Sequence, residues 1–168
     1  MDTSAIPLGD RIVLLGRTIG RDQYQLIKLV VDFEFSEEWY ADGSRTAAHW
    51  IADKLDVTVS TAREWIRVGR DLRDLPVIDE AFATERISYS KVRTLTRLAT
   101  VANEAELCGL AEGVPAGLLG RSLAAWSQKN DTDLIRDARQ QSERRLTWSV
   151  EPDGMVGISC RLPPSEAG

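Results

Sequence analysis

Hydrophobic residues recur at helical spacing through most of the chain. A first short helix is predicted by an apolar stripe at one helical face: Leu8, Ile12, Leu15 and Ile19. Gly20 follows as the predicted end of this helix. Residues 22–39 are denser in apolar groups, and their period fits either a buried helix or a strand, of which we favour the helix. Ser44 is the predicted N-cap of the next helix, which ends near Asp56.

The clearest amphipathic pattern lies between Ser60 and Leu72. Its apolar residues follow one face of a helix: Ala62, Trp65, Ile66, Gly69 and Leu72. Leu75-Pro76 interrupts the pattern, because proline lacks the backbone donor and restricts the preceding residue, and a short helix follows. The remaining helices are predicted after a cap at Ser88 or Ser90, and then over residues 101–112, 115–129 and 131–144, the last capped by Asp131. The body is therefore predicted to hold eight helices.

The end of the chain changes to a period of two. Apolar residues alternate with polar ones on both sides of the turn Glu151-Pro152-Asp153-Gly154, which predicts a β-hairpin. A lone hairpin is marginally stable, so we expect its apolar face to be covered by other protein. The predicted organisation is a helical domain over residues 1–144, a hairpin over 145–162, and a linker over 163–168 to a further module.

Residues 48–67, AHWIADKLDVTVSTAREWIR, have the pattern of a helix-turn-helix. Ala52 would let two helices approach closely, and Val57 would fill the turn between them. Asp56 stands where glycine is commonest, which is tolerable because Asp enters the left-handed conformation more readily than most residues. The predicted fold is therefore mainly α: a multi-helix bundle that contains a helix-turn-helix at residues 46–73, with a C-terminal β-hairpin.

Charge is unevenly distributed along the chain. The 168 residues carry a net charge of -5, which gives no global basic field, and 43% of them are apolar, enough for a folded core. Residues 45–97 nevertheless carry +2, whereas residues 1–44 carry -4 and residues 98–168 carry -3. Any contact with DNA is therefore expected to be a local patch at the helix-turn-helix.

The predicted contact surface follows from how a second helix enters a major groove. Val59 lies on this face, and the side chains expected to reach base edges are Ser60, Arg63, Glu64 and Arg67. Those expected to contact phosphates are Thr58, Thr61, Arg70, Lys91 and Arg93, a surface that Arg97 could extend. The alternative is an ordinary solvated helix face, because Arg63 and Arg67 alternate with Glu64 and Asp71 at ion-pair spacing.

Other kinds of site have little support in the sequence. Cys108, Cys160 and His49 are the only cysteines and histidine, too few for a disulfide framework or a four-ligand Cys/His zinc site. His49 is expected to be a partly buried helix residue, since no nucleophile and orienting acid can be assigned to it. We expect no catalytic residue, metal or cofactor. The longest apolar run near the N-terminus has four residues, so neither export nor a membrane span is predicted, and a cytoplasmic location is expected.

Several separated blocks resemble one known family. The stretch SRTAAHWIADKLDVTVSTAREWIRVGRDLRDLP, followed by ISYSKVRTLTRLAT, NEAEL and PDGMVGISCRLPP, is similar to the domain of unknown function 222 over residues 8–164. The resemblance implies the N-terminal part of an actinobacterial, mobile-element type of protein whose C-terminal part is a His-Asn-His (HNH) endonuclease module. This chain departs from such a nuclease because it has a single histidine, so the catalytic module is absent here.

A weaker, fold-level resemblance links residues 60–97 to the helix-turn-helix region of ParB-like chromosome-partitioning proteins.

The expected function is a non-catalytic DNA-binding or targeting domain, with double-stranded DNA as partner and the nuclease module in the parent protein. The alternative is a helical protein-interaction or dimerisation module that forms a homodimer or docks a partner.

Overall fold

The computed structural model describes residues 6–130, 133–163 and 166. The chain divides between Gly120 and Arg121 into two compact units. In the first unit the described residues form the helices α1 (Leu8–Ser36), α2 (Glu38–Ala41), α3 (Ala47–Leu55), α4 (Val59–Arg73), α5 (Pro76–Ala83), α6 (Tyr89–Leu95) and α7 (Glu104–Gly113). Helix α8 (Ala116–Asn130) crosses the division, and the second unit continues with α9 (Asp133–Ser142), β1 (Arg145–Val150) and β2 (Val156–Arg161). The prediction of a mainly α protein with a C-terminal hairpin is confirmed.

Helix α1 is continuous, and the prediction that Gly20 ends a first short helix was wrong. Glycine inside a helix costs about 1 kcal/mol relative to alanine, which a helix tolerates when its flanking turns are stabilised. Here the following turns bury Ile27, Val30 and Val31. The helix ends instead at Glu37, which has a left-handed backbone (φ 59°), and α2 starts directly after it.

Helices α3 and α4 are joined by the three residues 56–58. Thr46 rather than the predicted Ser44 caps α3, since its side chain accepts a hydrogen bond from the backbone N–H of His49. Asp56 ends α3 in the left-handed conformation (φ 51°, ψ 48°), as the sequence analysis anticipated for this position. The N–H of Val57 donates to the carbonyl of Ala52 at 3.1 Å, which closes the turn.

Helix α4 packs against both α1 and α3. Their shared core contains eight buried residues: Val30, Val31, Ala47, Ala48, Ile51, Ala52, Ala62 and Ile66. The crossing of α1 and α4 is close at Gly69, where an added Cβ would lie 2.8 Å from the carbonyl oxygen of Ile27 and would also meet the side chain of Val31. Glycine at this position therefore sets the distance between the two helices.

Helices α5, α6 and α7 form the rest of the first unit. Pro76 occupies the first turn of α5, and the buried carboxylate of Glu104 accepts hydrogen bonds from the N–H groups of Val77 (2.9 Å) and Ile78 (3.3 Å). This carboxylate caps the helix, because it satisfies two backbone donors that have no partner within α5. Helix α6 follows Ser88, one of the two predicted caps, and ends at Leu95.

In the second unit the two strands pair antiparallel, with Trp148 opposite Ile158 and Val150 opposite Val156. Gly154 has φ 84° and completes the predicted turn at residues 151–154. The predicted cap Asp131 lies outside the described residues, and α9 is described from Asp133. The assignment of residues 1–144 as one domain and of 163–168 as a linker stays a prediction.

Candidate functional site

The exposed N-terminal end of α4 carries three hydroxyl groups. The Thr58 side chain accepts a hydrogen bond from the N–H of Thr61 at 3.1 Å and so caps the helix. Its Oγ1 also lies 2.8 Å from both Ser60 Oγ and Thr61 Oγ1. This cluster lies at the end of α4 where the partial positive charge of the helix dipole is located.

Arg63 follows one turn later and is exposed to solvent. Within the part of the chain that the structure describes, its side chain has neither an ion pair nor a hydrogen bond. Arg93 on α6 is likewise exposed, and no described residue pairs with its guanidinium. Two cations are therefore available to an external ligand.

Arg67, one turn beyond Arg63, is held by its own protein. Its Nε and Nη2 donate to the two carboxylate oxygens of Glu64 at 3.1 and 2.9 Å. Its Nη1 donates to Asp71 at 2.6 Å and to Thr96 Oγ1 at 3.1 Å, and Nη2 also donates to the carbonyl of Arg93 at 3.2 Å. These bonds match the five donors of a guanidinium, so no donor of Arg67 is left for a base edge.

The charges around Arg67 are coupled. Burial alone would raise the pKa of Glu64, but the hydrogen bonds and charges of Arg67 and Arg97 outweigh burial and lower the pKa. Arg97 Nη2 donates to the same carboxylate at 2.8 Å. For Asp71 burial outweighs the attraction of Arg67, so the pKa of Asp71 is raised. Burial would lower the pKa of Arg67, yet its hydrogen bonds and charge interactions with Glu64 raise it.

These directions have opposite consequences for stability. Folding lowers the pKa of Glu64, so its ionised carboxylate stabilises the folded state at neutral pH. This stabilisation is lost as the pH falls through the lowered pKa. Asp71 acts in the opposite sense, since folding raises its pKa and so favours its protonated form. At neutral pH the ionised Glu64 carboxylate therefore stabilises the folded state, whereas the burial of the Asp71 carboxylate opposes it.

Three further side chains from the predicted contact surface are engaged within the protein. Arg70 Nε and Nη2 donate to both carboxylate oxygens of Glu34 on α1, at 2.7 and 2.6 Å. Lys91 Nζ donates to the carbonyl of Ala111 near the end of α7 at 2.7 Å. Val59 is partly buried and packs against the core between α1, α3 and α4.

The structure therefore divides the ten predicted residues into two groups. Those that present polar groups outward are Thr58, Ser60, Thr61, Arg63 and Arg93, and those engaged within the protein are Val59, Glu64, Arg67, Arg70 and Lys91. Arg67 thus follows the alternative to DNA contact: it lies on an ordinary helix face and forms ion pairs with Glu64 at i,i+3 and with Asp71 at i,i+4.

Two residues near the helix-turn-helix, Thr96 and Arg45, were not predicted as part of the site. Thr96 could not be found from the sequence, because it reaches Arg67 only through the packing of α6 on α4. Arg45 precedes α3, is exposed, and has no ion pair among the described residues. A lone arginine before a helix gives no sequence signal of its own, and its exposure is visible only in the structure.

Within the described residues no three His, Cys, Asp or Glu side chains cluster as metal ligands would. His49 is partly buried, and its Nδ1 lies 2.8 Å from Thr46 Oγ1, as expected for a helix residue beside a cap. Among the described residues, no helix combines the length and the hydropathy needed to cross a membrane.

The fold and the site together define a small helical domain in which two helices, joined by a tight turn, present an exposed helix end. The chain belongs to the family described as domain of unknown function (DUF222), whose profile matches residues 18–168. The match begins ten residues after Leu8, where the sequence blocks placed the start of the resemblance. Neither the curated proteins nor the solved structures contain a match.

Proposed function

We propose that this domain binds duplex DNA through the N-terminal end of α4, and that it has no catalytic activity of its own. The observation that carries the proposal is Arg63, an exposed arginine without a partner in the described chain, which follows the exposed hydroxyl groups of Thr58 and Ser60 and the partly buried one of Thr61. A helix that follows a three-residue turn and presents such side chains at its start fits the recognition helix of a helix-turn-helix.

In this proposal the residues of α4 have different roles. Arg63 and Ser60 contact base edges, while Thr58, Thr61 and Arg93 contact phosphates and so position the helix. Arg45 adds a phosphate contact from the start of α3. Arg67 does not contact DNA, because three of its donors bind Glu64 and Asp71 within α4 and two bind Thr96 and the backbone of Arg93, which tie α4 to α6. It positions Arg63 by fixing the helix that carries it.

Fluorescence anisotropy with a labelled duplex, at several salt concentrations, tests the proposal. We expect Arg63→Ala to reduce affinity for a cognate site by about 1–3 kcal/mol, because it removes a contact to a base edge. We expect Arg93→Ala to lower the slope of log K against log salt by about 0.9, because it removes a phosphate contact.

Arg17→Ala is the matched control, because Arg17 is exposed, lies on α1 and has no ion pair among the described residues. It removes the same charge and should leave the slope unchanged. The proposal would be contradicted if Arg63→Ala and Arg93→Ala bound DNA as tightly as the parent, or if the parent did not bind at low salt.

The biological setting we propose is that of a targeting domain. The family resemblance implies a C-terminal HNH endonuclease module in the parent protein, and this domain would deliver such a module to DNA. Cleavage of DNA by the purified 168-residue chain, at a rate that survives further purification, would count against a purely binding role.

A second candidate function, a protein-interaction module, is favoured by the hairpin. One face of it exposes large apolar residues that are paired across the strands: Leu146, Trp148, Val150, Val156 and Ile158. Exposed apolar patches of this kind often mark docking surfaces. Light scattering with and without duplex DNA separates the candidates, since an interaction module that never binds DNA shows no DNA-dependent increase in mass.

A further inference from the structure

The N-terminal part of α1 carries an apolar ridge that nothing in the described chain covers. Its four residues are Leu8, Ile12, Leu15 and Ile19, whose exposed fractions are 73%, 71%, 62% and 59%. Every residue from Leu8 to Ile19 is exposed, whereas the following turns of the same helix bury Ile27, Val30 and Val31. Three of the four ridge residues precede the residues that match the family profile.

We propose that this ridge binds the same ridge of a second copy of the chain, as an antiparallel helix pair with two-fold symmetry. The spacing of the four residues is four, three and four, which is the spacing of a coiled-coil seam. This sequence of intervals is the same in both directions. A two-fold axis between Val13 and Leu14 therefore sets Leu8 opposite Ile19 of the second copy, and Ile12 opposite Leu15.

The neighbouring glycines support a close approach by a second helix. Gly9 and Gly16 flank the ridge at helical spacing, and an added Cβ at either position would meet nothing within 4 Å. This contrasts with Gly69, whose absent side chain makes room for α1. Glycine inside a helix costs about 1 kcal/mol. Within the described chain no packing at Gly9 requires it, whereas Gly16 also lines a groove of its own protein. A second helix against the ridge would use the space.

The side of α1 adjacent to the ridge already faces its own protein. Val13, Gly16 and Gly20 line a groove of about 250 Å³ whose other wall includes Phe82 and Tyr89. The ridge lies roughly a quarter-turn from this wall, by the 3.6-residue period of the helix. A partner can therefore reach the ridge without displacing α5 or α6.

The surface area that two ridges would bury against each other fits a weak but specific dimer. Eight large apolar side chains, four from each copy, would lose about 60–100 Å² each, and the flanking residues bring the interface to about 1,000 Å², the lower end for a specific contact. We therefore expect a dissociation constant in the micromolar range. The dimer is independent of the proposed DNA function, although it would set two copies of α4 about one axis.

Sedimentation velocity over about 1–200 μM protein tests the proposal. The parent should shift from monomer to dimer in this range, and Ile12→Glu/Leu15→Glu should weaken dimerisation by more than about 100-fold, because charge would enter the apolar seam.

Leu14→Glu is the matched control, since Leu14 is 53% exposed, neighbours Leu15, and lies on the other side of the helix. It should change the dissociation constant by less than about threefold. Circular dichroism of each variant verifies that the helices remain folded.

A cysteine experiment tests the orientation in a Cys160→Ser background, since Cys160 is exposed and Cys108 is buried. Leu8→Cys mixed with Ile19→Cys should form a cross-link between copies, and Leu8→Cys alone should not. Cross-linking of Leu8→Cys with itself would overturn the antiparallel arrangement. The dimer would be overturned if the parent stayed monomeric, or if Leu14→Glu weakened dimerisation as much as Ile12→Glu/Leu15→Glu. It would also be overturned if the protein were a monomer whose ridge binds anionic lipid vesicles.

Discussion

Arg63 and Arg67 lie one turn apart on α4, yet their surroundings give them different roles. Both were expected to reach base edges, because spacing on a helix shows which side chains share a face. Spacing does not show what a neighbouring helix brings to that face. Thr96 and the carbonyl of Arg93 come from α6 and its C-terminal end, and with Glu64 they use the donors that Arg67 would need for DNA.

At this scale the account predicts that Arg67→Ala destabilises the fold by about 2–3 kcal/mol, because it leaves Glu64 and Asp71 with unpaired, partly buried charges. Arg67→Lys should restore only part of this loss, since an ammonium cannot form the bidentate pair with Glu64. Urea unfolding followed by circular dichroism gives both values.

Arg63→Ala is the control for this measurement and should change stability by less than about 0.5 kcal/mol, as an exposed residue without partners does. If the Arg63 and Arg67 variants were equally stable, the positioning role of Arg67 would be wrong.

Among the elements, those whose sequence signal is local were predicted best. The break at Pro76 and the turn of the hairpin depend on a proline and on a Pro-Asp-Gly sequence, and both were confirmed. The continuity of α1 through Gly20 could not be predicted, because it depends on burial of the following turns against α4. The apolar stripe at Leu8–Ile19 was predicted as part of a helix, but its exposure required the structure.

At the level of the helices and turns, our prediction concerns the turn between α3 and α4. Asp56 has a left-handed backbone, which glycine adopts freely and which β-branched residues strongly disfavour. Asp56→Gly should therefore be within about 1 kcal/mol of the parent, whereas Asp56→Val should destabilise by about 2 kcal/mol.

Asp53→Val serves as the matched control in thermal unfolding. Asp53 is exposed within α3 and helical, so the same substitution there should cost only a few tenths of a kcal/mol, a difference in helix propensity. Equal losses at positions 53 and 56 would show that the turn conformation contributes nothing.

For the whole molecule, composition and period were sufficient to predict a mainly α protein with a terminal hairpin, and the sequence blocks were sufficient to identify the family. The candidate site was predicted to the level of the helix that carries it. Which of its side chains face outward depended on contacts of α4 with α1 and α6, and of α6 with α7, whose residues are distant in sequence. The net charge of -5 is compatible with the proposed interface because residues 45–97, which include α4, carry a net charge of +2.

The central claim is that duplex DNA contacts the exposed start of α4. A titration of isotopically labelled protein with a duplex, followed by two-dimensional NMR of the backbone amides, tests it most directly. We expect the largest shifts in residues 57–63 and around Arg93, and we expect Arg67 to keep its intramolecular hydrogen bonds. Shifts confined to the N-terminal part of α1 or to the hairpin, or no shifts at low salt, would contradict it.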